Sequence, residues 1–212
     1  NPKIDAGVDV FGLVAQTLGV VADSRIKVLL CVEGPTDVDA FKCLSHALHG
    51  DDPSIIDLSS NGAVAFIVLG GSTLKHWVAE HYLKALGRPE VHIYDSDVAT
   101  YAASVAAVNQ RTDKSWGVQT VKYEIESYLH TDAIKDAFRV EIAVPDQRDA
   151  NGDAVPTIFA KALYASNPMG EPINDGTAKK RLASKAFPRM TAARIRERDP
   201  SGEVEGWLRR IG

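Results

Sequence analysis

The sequence has few cysteines and lacks the Cys and His spacing of a zinc site. Among its 212 residues there are two cysteines, Cys31 and Cys43, and none of the six histidines pairs with another ligand at the spacing of a zinc site. The pattern therefore argues against a structural zinc site. It predicts that both cysteines are small buried hydrophobic residues of a protein kept in a reducing compartment.

Long apolar runs and an excess of positive charge are also missing. No run approaches the roughly 18–20 residues that span a bilayer, and the first residues lack the basic and apolar segments of a secretory signal. We therefore expect no membrane partner and a cytoplasmic location. The net charge of −4 and the pI of about 5.9 do not by themselves indicate a nucleic-acid-binding protein.

The charge is unevenly distributed along the chain. From Lys179 to the end there are ten Lys or Arg residues and only four Asp or Glu residues. This excess predicts a local cationic surface on an acidic protein. The simpler alternative is a solvated helix face without a binding role.

The length and composition fit one domain, with or without a small appendage. Hydrophobic residues make up 45% of the chain, which is enough for a sizeable core without disulfides. The chain begins at Asn1 and not at Met, so we expect it to be part of a longer protein.

Apolar strand-like runs alternate with helix-like segments over the first two thirds of the chain. Strands are predicted at 26–32, 91–97 and 118–123, with one or two more from 55–60 and 63–71. Helices are predicted at 8–22, 38–50 (with Thr36 as N-cap), 72–87 (capped by Ser72), 99–110, 124–138, 158–165, 177–198 and from 203 to the end. Such alternation predicts an α/β fold with a mostly parallel sheet and helices on both faces.

Acidic residues follow the predicted strands. Glu33 and Asp37 flank the turn after the first strand, and Asp95 and Asp97 end a later one. Because parallel strands bring their carboxyl ends to one edge, we expect these groups to converge there. Each motif alone also fits an ordinary acidic turn.

A third acidic pair, Glu124 and Glu126, follows the segment 118–123. On its own this pair fits a charged helix start equally well. Carboxylates crowded at one edge repel each other unless a cation lies between them. Oxygen ligands suit Mg²⁺ or Mn²⁺, and five or six of them could hold two such ions for phosphodiester cleavage.

In combination, these motifs resemble a known catalytic domain. The segments VEGPTDVDAF, GGS and YDSDV occur in the order of the Toprim domain, which topoisomerases, bacterial primases, recombination proteins and the OLD (overcoming lysogenization defect) nucleases share. The segments EIESYL and KKRL and the ending DPSGEVEGWL are most similar to the OLD family, and to its class 2. The likeness covers the chain from about residue 26 onward.

This resemblance implies an organisation and a setting. Residues 26–123 would form the Toprim catalytic core and 124–212 a helical, partly basic subdomain with a loop-rich part at 143–176, preceded by a helical lead-in at 1–25. An ABC-type ATPase region of the same protein would normally come before the chain. OLD nucleases act in phage defence or DNA repair in the bacterial cytoplasm, and some are associated with a helicase.

The resemblance also implies roles for individual residues. The expected ligands of two divalent cations (Mg²⁺ or Mn²⁺, with Ca²⁺ as another possible bound ion) are Glu33, Asp37, Asp95, Asp97, Glu124 and Glu126. Glu33 would also act as general base, and Lys179 or Lys180, with Lys185 third, would stabilise charge on the phosphate. The residues expected to support the ligands are Gly71, Ser72 and Ser96. The expected contacts to the DNA backbone are Arg181, Lys185, Arg189 and Arg194.

We therefore expect a metal-dependent DNA endonuclease or nickase that binds DNA without sequence specificity. The alternative is a non-catalytic Mg²⁺-binding module, either a degenerate Toprim domain or a receiver-like domain. A topoisomerase would need a nucleophilic tyrosine, and neither Tyr101 nor Tyr128 has a recognisable context for that role. Topoisomerases normally carry that tyrosine in a separate domain, so this alternative stays open. A primase would need a polymerising motif, which the sequence does not show.

Overall fold

The computed structural model describes residues 25–71 and 73–212. The helix predicted over 8–22 and the cap predicted at Ser72 therefore lie outside the described residues, as does nearly all of the lead-in 1–25.

The protein has an α/β fold built on a four-stranded parallel sheet, which confirms the predicted fold class. The strands are β1 (Val28–Val32), β2 (Val64–Val68), β3 (Glu90–Tyr94) and β4 (Trp116–Gln119), in the order β2-β1-β3-β4. All neighbouring strands run parallel. The carboxyl ends of all four strands therefore lie at one edge of the sheet.

Several strand predictions were wrong in extent. Of the segments 55–60 and 63–71, which predicted one or two strands, the second forms β2, and the strand predicted at 91–97 ends at Tyr94. Residues 55–60 form bends and turns, because the side chains of Asp52 and Asp57 accept hydrogen bonds from the backbone amides of Ser54 and Ser59. The strand predicted at 118–123 begins at Trp116 and ends at Gln119.

Eight α-helices occur within the described ranges. They are α1 (Pro35–Asp51), α2 (Leu74–Ala79), α3 (Tyr101–Asn109), α4 (Thr131–Phe138), α5 (Val155–Ser166), α6 (Asp175–Arg181), α7 (Ala192–Arg198) and α8 (Glu203–Ile211). Short 3₁₀ turns occupy Lys84–Leu86, Ile125–Tyr128 and Phe187–Arg189, and a π-helical turn at Leu182–Ala186 continues α6.

Several predicted helices differ from the observed ones. The helix predicted at 72–87 is broken after α2, because His81 adopts a left-handed backbone conformation with φ of 48°. The segment 124–138 is divided into a 3₁₀ turn and α4, whose N-cap is His130. The N-cap of α1 is Gly34 and not Thr36, with Pro35 in the first turn, a position that suits proline.

Alternate side chains of the strands enter two hydrophobic layers. On one face, Leu30 and Val32 belong to a core that contains Phe41 of α1 and also Trp207 and Leu208 of α8. The segment 124–212 therefore shares its core with the sheet, and the boundary predicted at 123 stays a prediction.

The opposite face of the sheet is covered by α2 and α3. Leu29 and Cys31 of β1 pack there with Leu74 and Val108. Burial of Cys31 is confirmed, whereas Cys43 on α1 is only partly buried. None of the helices in the described ranges has the length and apolar character needed to cross a bilayer.

Candidate metal centre

Carboxylates from separate parts of the chain meet at the carboxyl edge of the sheet. Glu33 follows β1, and Asp95 and Asp97 follow β3, the strand next to it. One oxygen from each of these three residues lies within 4.8 Å of the others. The expected convergence of these strand ends is confirmed.

Both oxygens of Glu33 are held by hydrogen bonds. Oε1 accepts one from the backbone amide of Asp95 at 2.9 Å, and Oε2 accepts one from the Tyr101 hydroxyl at 3.1 Å. Burial raises the pKa of Glu33 to about 7, with Asp97 and Asp37 adding to the effect and the two hydrogen bonds opposing it. Glu33 is thus fixed in orientation in a crowded acidic environment.

Asp37 approaches the centre from the first turn of α1. Its Oδ2 accepts a hydrogen bond of 2.8 Å from the backbone amide of Gly34, the N-cap of that helix. Burial raises the pKa of Asp37. Its own charge contributes to the raised pKa values of Glu33, Asp95 and Glu126. Asp37 belongs to none of the groups of ligand atoms that lie within 4.8 Å of one another in the described residues, and its role as a ligand stays a prediction.

A second group of carboxylates consists of Asp95, Glu124 and Glu126. All three are buried, and one oxygen of each lies within 4.8 Å of the others. Asp95 belongs to both groups, and its Oδ1 accepts a hydrogen bond of 2.9 Å from the backbone amide of Ile125. This bond ties the segment that carries the two glutamates to the end of β3.

The burial of this second group disfavours its ionised form. Burial raises the pKa of Glu126 to about 8, with Glu124 and Asp37 adding to the effect and Lys179 opposing it. The pKa values of Asp95 and Glu124 are also raised, mainly by burial. Three such groups in one place need a cation nearby to be ionised together.

The side chain of Lys179 in α6 supplies positive charge next to this second group of carboxylates. Its Nζ lies 3.0 Å from Oε2 of Glu124 and 3.4 Å from Oε2 of Glu126. Burial alone lowers the pKa of Lys179, but Glu126, Glu124 and Asp95 together raise it above its ordinary value. The structure thus places Lys179 at the carboxylates, whereas Lys180 and Lys185 are exposed on the surface.

Lys179 does not satisfy every buried oxygen of this group. Oε1 of Glu124 makes no hydrogen bond of good geometry within the described ranges, although the backbone amide of Val155 lies close enough to Glu124 to favour its ionised form. Oε2 of Glu126 has only the 3.4 Å approach of Lys179, which lacks hydrogen-bond geometry. Buried polar atoms without partners are uncommon in folded proteins. A set of carboxylate oxygens with unused acceptor capacity fits Mg²⁺ or Mn²⁺.

The described residues that were expected to support the ligands, Gly71 and Ser96, lie next to the site. Gly71 lies against the site, since an added Cβ there would come within 3.0 Å of the Tyr101 hydroxyl and 3.7 Å of Glu33 Oε2. The Ser96 hydroxyl donates to the carbonyl of Lys122 at 2.8 Å. Ser96 therefore holds the segment leading to Glu124, and its hydroxyl makes no hydrogen bond to a carboxylate. Ser72 lies outside the described residues.

Sequence reasoning missed the contact between Tyr101 and Glu33. The tyrosine was considered only as a nucleophile, yet its hydroxyl contacts Glu33 and the carbonyl of Gly71, and its ring packs on Tyr94. The two partners are 68 residues apart, and no local pattern in the sequence links them.

The predicted cationic surface is partly neutralised. Arg194 pairs with Asp136 at 2.7 Å and also donates to the carbonyl of Arg189. Three more arginines of the C-terminal region pair with acids from other segments, namely Arg196 with Asp51, Arg198 with Asp146 and Arg209 with Asp52. Of the four expected DNA contacts, Arg181, Lys185 and Arg189 are the exposed ones.

A third group of residues of metal-binding types lies buried within strands β1 and β3. Cys31, Glu90 and His92 offer ligand atoms within 4.8 Å of one another. However, Glu90 already pairs with His92 and Arg111 at 2.7 Å and with His81 at 3.0 Å. Its charge is therefore compensated within the protein, and this group is a weaker candidate than the one at the sheet edge.

No family model matches this sequence, and no curated protein or solved structure is significantly similar to it. The resemblance to the Toprim domain and the OLD nucleases therefore stays a prediction.

Proposed function

We propose that this protein is a divalent-metal-dependent nuclease that hydrolyses phosphodiester bonds in DNA. The observation that carries the proposal is the pair of carboxylate groups that share Asp95, with Lys179 beside one of them. Two adjacent groups of this kind suit a two-metal centre. The order of the motifs along the chain agrees with the resemblance to OLD nucleases.

Each group of carboxylates would hold one ion. Glu33, Asp95 and Asp97 would bind the first, and Asp95, Glu124 and Glu126 the second, with Asp37 adding negative charge from α1. When bound, the ions would activate a water molecule and stabilise the leaving oxygen of the phosphodiester. The unpartnered oxygens of Glu124 and Glu126 support this assignment.

The chain supplies the remaining groups. Glu33, oriented by Asp95 and Tyr101, would accept a proton from the attacking water. Lys179 would contribute positive charge next to the scissile phosphate. The exposed Arg181, Lys185 and Arg189 would contact the DNA backbone, in a salt-dependent way and without reading sequence.

Nicking of supercoiled plasmid DNA tests this function. The assay compares Mg²⁺ and Mn²⁺ with a metal-free control, and the wild-type protein with Asp95→Asn and Glu33→Gln. We expect metal-dependent nicking by the wild type and a loss of about 10²-fold or more in either variant. Asp39→Asn is the matched control, because Asp39 is exposed two residues after Asp37 on α1; it should nick like the wild type.

Thermal unfolding of each variant separates loss of catalysis from loss of fold. If the folded wild-type protein does not nick DNA with either metal at any salt concentration, the nuclease proposal is wrong. A protein that binds the ions but leaves the DNA intact would instead be a Mg²⁺-binding module.

A further inference from the structure

The ammonium group of Lys179 lies where a divalent ion would have to bind. It approaches Glu124 and Glu126 to 3.0 and 3.4 Å, and these two residues with Asp95 form the second carboxylate group. Both glutamates are almost fully buried, at 2% and 1% exposure. The lysine therefore provides the counter-charge for a group that water barely reaches.

An ion bound by these carboxylates would come very close to this ammonium group. Metal–oxygen distances for Mg²⁺ are about 2.0–2.1 Å, and the three ligand oxygens lie within 4.8 Å of one another. Two cations in so small and sheltered a space repel each other strongly, because little water screens them. The arrangement with both present is therefore disfavoured.

The side chain of Lys179 can move away from the carboxylates. Its side chain is 31% exposed, although the backbone beside it is fixed by the fully buried Ala178. The flexible stem of lysine allows the ammonium to move while the helix stays in place. Glu124 Oε1 makes no hydrogen bond of good geometry within the described ranges, and Lys179 contacts the other oxygen of this carboxylate. It therefore offers an incoming ion a first ligand that Lys179 does not occupy.

We propose that Lys179 and a divalent cation compete for the Asp95–Glu124–Glu126 group. Without the ion, the ammonium group of Lys179 pairs with Glu124 and Glu126 and occupies the ion's position. When the ion binds, Lys179 leaves the glutamates and turns toward the solvent side of the centre, where the phosphate of a DNA strand would lie. The positive charge of Lys179 becomes available to substrate only after the second ion is in place, so ion loading and phosphate binding are coupled. This inference rests on the proposed function in that it takes the carboxylates to be ion ligands.

Manganese binding to the complete chain tests the competition. Electron paramagnetic resonance of free Mn²⁺ gives the number of bound ions and their affinities for the wild type, Lys179→Met and Lys180→Met. Both variants remove one positive charge from adjacent positions, but Lys180 is exposed and makes no contact with the carboxylates. We expect Lys179→Met to bind the second ion about tenfold more tightly than the wild type, and Lys180→Met to bind it like the wild type.

A labelling experiment on the wild type tests whether Lys179 moves. A short pulse of acetic anhydride, read by mass spectrometry, reports the reactivity of each lysine with and without Mn²⁺. We expect the acetylation of Lys179 to rise several-fold on addition of Mn²⁺, while that of Lys180 stays constant and serves as an internal reference. This measurement needs no variant and is independent of whether Lys179→Met folds.

The outcomes separate this proposal from the proposed function. If the second ion binds equally well to all three proteins, or if only one ion binds to each, the competition is wrong while the metal centre stands. Tighter binding by Lys179→Met without any change in the reactivity of Lys179 indicates repulsion without movement, and that also overturns the exchange. If no protein binds Mn²⁺, both proposals are wrong.

Discussion

The backbone amide of Asp95 donates a hydrogen bond to Oε1 of Glu33 across 62 positions of the chain. This bond joins the ends of β1 and β3, which are neighbours in the sheet. The side chain of Asp95, whose Oδ1 accepts a hydrogen bond from the backbone amide of Ile125, takes part in both carboxylate groups. The position of one carboxylate is thus fixed by the backbone that carries another.

Tyr101→Phe should impair nicking with little effect on the fold. The variant removes the hydroxyl that donates to Glu33 Oε2, so Glu33 loses one of the two bonds that orient it. A hydrogen bond to a charged group contributes about 1.5–3 kcal/mol, and we expect the nicking rate to fall about tenfold or more. Steady-state nicking rates and thermal unfolding of the same samples check this.

Tyr164→Phe is the matched control for this substitution. Tyr164 is exposed on α5 and makes no hydrogen bond to the carboxylate groups within the described residues, so its variant should nick at the wild-type rate. Equal rates for Tyr101→Phe and wild type would show that the hydroxyl is unnecessary for positioning Glu33.

Gly71→Ala should disturb the same hydrogen bond by steric contact. The added Cβ would lie 3.0 Å from the Tyr101 hydroxyl, so the tyrosine has to shift away from Glu33. We expect slower nicking and a lower unfolding temperature. By contrast, Gly50→Ala adds a methyl group to α1 with no atom within 4 Å, and it should leave nicking unchanged and stabilise the protein by about 0.5–1 kcal/mol. Equal nicking rates and unfolding temperatures for the two variants would contradict the close approach of Gly71 to the Tyr101 hydroxyl.

Glu126→Gln should change how the stability of the metal-free protein depends on pH. Burial raises the pKa of Glu126 from an ordinary value of 4.5 to about 8, so the folded state binds the proton more tightly than the unfolded state. The free energy of unfolding therefore falls as the pH rises from about 4.5 to about 8, by up to about 1.4 kcal/mol per pH unit for one such group. Glutamine cannot ionise, and its variant should lose this part of the dependence.

Unfolding temperatures in EDTA between pH 5 and 8.5 measure this effect. Glu126→Gln should gain stability relative to the wild type as the pH increases, whereas Glu171→Gln, an exposed control, should follow the wild-type curve. Parallel curves for all three proteins would show that the ionisation of Glu126 costs no stability.

Lys185→Ala and Arg194→Ala should affect DNA binding differently. Lys185 is exposed, and its loss should reduce the salt dependence of DNA affinity by about one phosphate contact. Arg194 is engaged with Asp136, so its loss should cost at most about 1 kcal/mol of stability and leave the salt dependence as it is. Fluorescence anisotropy with a labelled duplex at several salt concentrations measures both. An equal drop in salt dependence would place Arg194 at the DNA.

The convergence of Glu33, Asp95 and Asp97 could be predicted from the sequence because parallel strands obey a simple rule. The strand ends were recognisable from apolar runs followed by acids, and the sheet brings such ends to one edge. The turns at 55–60 could not be distinguished from a strand in the same way, since Ile55 is buried in either arrangement.

The choice of Lys179 over Lys180 could not be made from the sequence. Two adjacent lysines point to different sides of a helix, and which one meets the glutamates depends on how α6 packs. The pairing of C-terminal arginines with Asp51, Asp52 and Asp146 was equally hidden. Because such ion pairs link distant segments, a count of Lys and Arg residues against Asp and Glu residues in the C-terminal region overstated the cationic surface.

The shared core limits how the chain can be shortened. Trp207 of α8 packs against Phe41 of α1 at a tilted angle and edge-on against Tyr128, with ring centroids 6.1 and 5.8 Å apart. Helices α1 and α8 are therefore neighbours in the structure. A fragment ending at residue 123 would keep α1 but lose the C-terminal side chains that complete the core on the face of the sheet that bears Leu30 and Val32. Limited proteolysis should therefore yield no stable piece that stops there.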